Sequence, residues 1–149
     1  MKNHRGLRAG RGERVMSGQT VGAWMHRGVI SCRPDTSLEE VARTMDSKDV
    51  SALVVVNEAG DVVGVISRTD LVNTRFVEPY MKHWRGMTAE HLMSRPVISV
   101  SPETPVTEAA NILRHKQIHR LVVVETDGQR LLPVGILSVT DLAKNIDRR

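Results

Sequence analysis

The residues best equipped for chemistry in this chain come as two matching sets, Gly64-Val-Ile-Ser-Arg-Thr-Asp-Leu71 and Gly135-Ile-Leu-Ser-Val-Thr-Asp-Leu142. In each, an apolar run ends in serine, threonine and aspartate, the side chains that cap a helix N-terminus. A helix start also presents backbone N–H groups and a positive dipole end, which favour an anion such as phosphate. One such set would read as a cap alone; two sets in the same surroundings read as candidate ligand sites. No nucleophile, base and orienting partner occur together, so there are no catalytic residues to name and no enzyme is expected. Cys32 is the single cysteine and reads as a small core residue. His115 and His119 stand four apart on one helical face, but no third ligand is evident and no metal is expected. His83 and His91 lie in the connector and carry less information.

The elements that hold these sets are themselves duplicated. Val29-Ile-Ser-Cys-Arg-Pro-Asp-Thr36 matches Val97-Ile-Ser-Val-Ser-Pro-Glu-Thr104, and Leu53-Val-Val-Val56 matches Leu121-Val-Val-Val124. Each copy predicts a short strand, a proline-marked turn, a helix, a hairpin and a second helix, in the order β-α-β-β-α. Thr36 with Glu39 is a capping-box pattern ahead of Leu38, Val41, Ala42 and Met45; Thr104 caps the equivalent helix with Pro105 at its first position. The second hairpin carries three extra residues around Arg130 to Leu132. The predicted fold class is α/β, or α+β in some schemes. Two copies of about 55 residues are each too small to bury their apolar faces comfortably, so they are expected to pack about a pseudo-two-fold axis.

Composition bounds the rest. At 149 residues, 40% hydrophobic and 26% charged, the chain fits one globular domain or two small ones. Its longest apolar runs, Leu53 to Val56 and Leu121 to Val124, fall far short of the roughly 20 residues a membrane span needs. The polar, arginine-rich start has no apolar segment behind it, so no secretory signal and a cytoplasmic location are expected; Met16 is an alternative candidate for the initiating residue. The net charge of +4 sits entirely in residues 1–16, which hold Lys2, Arg5, Arg8, Arg11 and Arg14 against Glu13. A nucleic-acid footprint should lie on a folded face and not on a tail, so that partner comes last. Phe76, Tyr80 and Trp84, spaced at four, read as cover for the core or a dimer contact, with Met81 and Met87 in the same packing role. The expected organisation is a basic flexible tail (1–19), a first repeat (20–74), a connector (75–87), a second repeat (88–146) and a C-terminal tail (147–149).

The pattern resembles a tandem CBS-domain pair, or Bateman module, over roughly Thr20 to Ile146. The resemblance rests on the duplicated Gly-apolar-apolar-Ser-x-Thr-Asp-Leu, the lead-ins Val21-Gly-Ala-Trp-Met25 and Ala89-Glu-His-Leu-Met93, and Ile118-His-Arg-Leu-Val-Val123. It implies an adenosine-containing regulatory ligand: AMP, ADP or ATP foremost, S-adenosylmethionine or NAD otherwise. It also implies a homodimer, with a separate protein effector expected; the short apolar runs have already left no membrane partner expected. The aspartate of each set looks like the family's ribose-binding carboxylate, with the neighbouring serine and threonine bonding sugar or phosphate. One cleft is then expected to use Ser67, Thr69, Asp70, His119 and Arg120, with Val97 and Ile98 against adenine. The second would use Ser138, Thr140, Asp141 and Ser51, with Val29 and Ile30. Ser51 and Ala52 stand where the second copy has His119 and Arg120, so the Asp70 cleft is expected to prefer a phosphorylated ligand and the Asp141 cleft a less charged one or none. The reading is a stand-alone nucleotide-sensing module. Its alternatives are a ligand-independent dimerisation module and a nucleic-acid-associated protein using the basic tail.

Overall fold

The computed structural model describes residues 11–77 and 86–147, with the side chains of 11–13, 74–77 and 147 left aside. Tyr80, Met81, His83 and Trp84, the side chain of Phe76, and the basic residues Lys2, Arg5 and Arg8 therefore lie outside the described residues.

Seven helices and seven strands are described. In order they are α1 (Arg11–Met16), α2 (Val21–Trp24), β1 (His26–Arg27), β2 (Ser31–Cys32), α3 (Leu38–Lys48), β3 (Ala52–Val56), β4 (Val62–Ser67), α4 (Arg68–Val77), α5 (Ala89–Leu92), β5 (Ser99–Val100), α6 (Val106–Lys116), β6 (Arg120–Asp127), β7 (Arg130–Ser138) and α7 (Val139–Asp147). The β-α-β-β-α order is present twice, from β2 to α4 and from β5 to α7. Part of the stretch expected to be a flexible tail is helical: α1 packs beside α6 and α7. Among the described residues no helix is long and apolar enough to cross a membrane.

The described residues form two compact units, one of 11–27, 99–124 and 135–147, the other of 28–77, 86–98 and 125–134. The second unit holds a three-stranded sheet, β2-β3-β4. There β2 runs parallel to β3 with Ser31 opposite Val54, and β3 runs antiparallel to β4 with Leu53 opposite Ile66. The parallel pairing requires a crossover, which α3 supplies. Leu38, Val41 and Met45 of α3 are buried against Leu53, Val55 and Ile66 of the sheet, so the i, i+3, i+7 spacing read from the sequence is the core face. The other sheet has the strand order β1-β7-β6-β5, and within the first unit Ser99 stands opposite Val122 in parallel register. Val106, Ala109 and Leu113 of α6 are buried there in the positions equivalent to those of α3.

The helix caps differ from the expectation. Thr36 Oγ1 accepts from the Arg33 N–H at 2.9 Å and Thr104 Oγ1 from the Ser101 N–H at 3.1 Å, so each threonine closes its proline turn. The cap of α3 is Ser37, which accepts from the Glu40 N–H at 3.1 Å; α6 starts after Pro105 with no side-chain cap. A hydroxyl engaged in the preceding turn is lost to the helix.

The segment that leads into each copy is built into the unit that carries the other copy. Ala89 and Glu90, ahead of the second copy, donate their N–H groups to Thr36 O and Pro34 O of the first, at 2.8 and 2.9 Å. Val21 and Gly22, ahead of the first copy, donate to Thr104 O and Pro102 O of the second, both at 2.8 Å. The exchange continues at the sheet edges, where Ser94 bridges Val65 and His26 of β1 pairs with Ile136 of β7. This explains the glycine that opens each motif. A side-chain carbon on Gly64 would collide with the Met93 thioether, and one on Gly135 would lie 2.5 Å from the His26 carbonyl oxygen.

Candidate functional site

Both Ser-x-Thr-Asp sets lie where a strand turns directly into a helix, β4 into α4 and β7 into α7. In the first, the Ser67 N–H and hydroxyl both donate to Asp70 Oδ2, at 2.8 and 3.0 Å, and the Asp70 N–H donates back to Ser67 Oγ at 3.2 Å. In the second, the Ser138 N–H donates to Asp141 Oδ2 at 2.9 Å and the Asp141 N–H to Ser138 Oγ at 3.0 Å. This reciprocal arrangement is a capping box, with aspartate three residues after the cap. It holds each carboxylate in one orientation beside the first helical turn. Ser67 is buried, Asp70 and Asp141 are half-buried, and Thr69 and Thr140 are exposed.

The helix starts are less open to an anion than their sequence implies. The Arg68 N–H donates to Ser51 O and the Val139 N–H to His119 O, each at 2.9 Å. Two first-turn donors of each helix, at 68 and 70 and at 139 and 141, are thus already taken within the protein. The same bonds place the residues that differ between the copies, Ser51 and His119, against the start of the following helix. Both are exposed, and Arg120 is half-buried at the head of β6. His115 is exposed on α6 with Nδ1 2.8 Å from Asn111 O. Among the described residues no three His, Cys, Asp or Glu side chains converge as a metal site would require.

The second unit holds Ser67, Thr69 and Asp70 together with Ser51, Val29, Ile30, Val97 and Ile98; the first unit holds Ser138, Thr140, Asp141, His119 and Arg120. Val29, Ile30, Val97 and Ile98 are all half-buried.

Two side chains have partners that the sequence does not announce. Arg68, between Ser67 and Thr69, donates from Nη1 to Asp46 Oδ1 at 2.9 Å and from Nη2 to Met45 O at 3.3 Å. Pairwise comparison of the copies carries the signal, because the equivalents of Asp46 and Arg68 are Arg114 and Val139. His91 belongs to α5 and not to an uninformative connector: its Nδ1 accepts from the Thr88 N–H at 2.9 Å. No sequence rule marks histidine in that role.

Comparison with known proteins decides the family: the CBS domain matches at residues 21–76 and again at 89–148. The chain belongs to the CBS-domain family. It is a CBS pair of mixed α and β structure. Its relatives include an uncharacterised protein of Methanopyrus kandleri, 32% identical over 127 residues, or 85% of this chain and 62% of that protein. Another is the 5′-AMP-activated protein kinase subunit gamma-3 of Bos taurus, 37% identical over 98 residues, or 62% of this chain and 19% of that protein. This CBS pair thus spans less than two thirds of either relative's length. Among solved structures, that of CBSX2 in complex with AMP superposes with a TM-score of 0.73 at 27% identity, covering 88% of this chain and 98% of that one.

Proposed function

We propose that this CBS pair is a regulatory module that binds an adenosine-containing ligand and passes binding to a partner through a change of conformation. AMP, ADP and ATP are the first candidates, with S-adenosylmethionine and NAD behind them. The observation that carries the reading is the duplicated carboxylate, Asp70 and Asp141, each fixed by a reciprocal serine bond at a strand-to-helix turn. Its support from relatives is the AMP complex of CBSX2 and the likeness to a kinase subunit named for AMP. In this reading the carboxylates accept from ribose hydroxyls, Thr69 and Thr140 add exposed hydroxyls, and His119 and Arg120 supply positive charge to phosphate. Val29, Ile30, Val97 and Ile98 are the apolar candidates for adenine, and Ser51 is the uncharged counterpart of His119. The reading assigns no catalysis to the chain and includes a homodimer, a protein effector and a cytoplasmic setting.

One observation favours the assembly alternative. The Ser67 hydroxyl is already bonded within its own turn, so the motif is structurally complete without a ligand. A thermal-shift panel with AMP, ADP, ATP, S-adenosylmethionine, NAD and GTP separates the two. A ligand at a hundredfold excess over Kd stabilises by about 2.7 kcal/mol, which appears as a shift of several degrees. The expected result is a shift with an adenosyl compound that Asp70→Ala and Arg120→Ala both abolish. No shift with any of the six overturns the sensor reading in favour of assembly.

A further inference from the structure

Arg68 differs from its counterpart in the second copy in a way that assigns it a task. Its backbone N–H meets Ser51 O at 2.9 Å, and its guanidinium spans to the last turn of α3, meeting Asp46 Oδ1 at 2.9 Å and Met45 O at 3.3 Å. One residue therefore ties together the entry of β3, the end of α3 and the capped turn of α4. The second copy keeps the backbone bond, Val139 N–H to His119 O at 2.9 Å, but has valine in place of the arginine and Arg114 in place of Asp46. The tie to the preceding helix is thus specific to the first copy.

We propose that Arg68 is an anion-competed latch: a ligand phosphate beside the Asp70 turn takes the guanidinium from Asp46 and so loosens the end of α3. The inference rests on the adenosyl reading above and adds to it how the ligand's charge is read. Arg68 and Asp46 are both well exposed, at 46% and 73% of their side-chain surface, and an exposed ion pair of this kind is held weakly. A phosphate group offers more negative charge than a carboxylate and accepts two parallel bonds from one guanidinium. The residue sits between Ser67 and Asp70 on a long stem, so the guanidinium can swing from α3 to a phosphate whose ribose lies on Asp70. The α3 end has reason to respond. Asp46 lies in its last turn, where the helix dipole disfavours a carboxylate, and Arg68 offsets that charge while also bonding the Met45 carbonyl. The same turn closes with Asp49 in the left-handed region at φ 54°, the Asp49 N–H on Asp46 O at 3.3 Å and the Val50 N–H on Met45 O at 3.0 Å.

The test is calorimetric titration of the full chain with adenosine and with AMP, for the wild type, Arg68→Ala, Asp46→Asn and the double variant. The quantity read is the preference for AMP over adenosine. Arg68→Ala should lower it about tenfold and Asp46→Asn should raise it several-fold, because phosphate then has no charged competitor. In the double variant the gain from Asp46→Asn should vanish, which separates transfer of the guanidinium from a general change in charge. Hydrogen exchange at the Val50 amide should quicken when wild type binds AMP and stay unchanged with adenosine. Binding of both compounds with one preference across all four chains overturns the latch and leaves the adenosyl reading standing. Binding of neither compound by the wild type overturns both.

Discussion

Ser67 and Asp70 show how much of a recognition motif is local structure before it is anything else. The carboxylate accepts both the N–H and the hydroxyl of Ser67, so substitution removes the returning half of the capping box along with any ribose partner. Asp70→Ala should therefore cost about 1 kcal/mol of stability even without ligand. Asp70→Asn, which keeps an acceptor oxygen, should recover part of that loss in chemical denaturation while still weakening adenosyl binding. Cys32 is the other residue whose environment makes a clear prediction. Burial, with a smaller contribution from the Glu40 charge, raises its thiol from 9.0 to about 11. The neutral thiol is the unreactive form, so a disulfide reagent at pH 8 should label the native protein slowly and the denatured protein fast. Because the folded value lies above the unfolded one, Cys32 stabilises the fold below pH 9, and that contribution fades as pH rises from 9 towards 11. Cys32→Ala should flatten this part of the alkaline decline in denaturation midpoint.

At the scale of elements, the two long first helices end alike and invite the same change. Asp49 and Gln117 both hold φ at 54° at the C-caps of α3 and α6, a conformation that glycine adopts without cost. Gln117→Gly should raise stability by about 0.5 kcal/mol in a urea titration, with a smaller gain at 49, since aspartate tolerates this region better than glutamine. The motif glycines predict the opposite. Gly64→Ala would push into Met93, and Gly135→Ala into the His26 carbonyl. Each should destabilise by about 1–3 kcal/mol, as overpacking does elsewhere. The Gly135 change should be the harder of the two to relieve, because it meets backbone while Gly64 meets a flexible thioether.

For the molecule as a whole, the exchange of lead-ins makes each unit depend on residues from both copies. Each unit needs α2 or α5 from ahead of the other copy to satisfy the carbonyls of its proline turn and to extend its sheet. Cleavage of the connector followed by separation of the halves should therefore leave neither with a cooperative unfolding transition, and mixing them should restore one. Two halves that each unfold cooperatively at the midpoint of the intact chain would contradict this.

The duplication, the β-α-β-β-α order, the buried faces of α3 and α6 and the two Ser-Asp turns are legible in the residue pattern alone. These depend on short-range periodicity and on residues three or four apart, which one copy can reveal and the other confirm. The folded chain alone settles which copy each lead-in completes, because that choice rests on backbone bonds such as Ala89 to Thr36, between residues with no distinguishing side-chain chemistry. It also decided the caps, since Thr36 and Ser37 are equally able to accept and the proline turn took the first. The Arg68–Asp46 tie, 22 residues long, belongs to the same class: charges so far apart in the chain become partners only when a crossover helix returns its end to the strand it feeds.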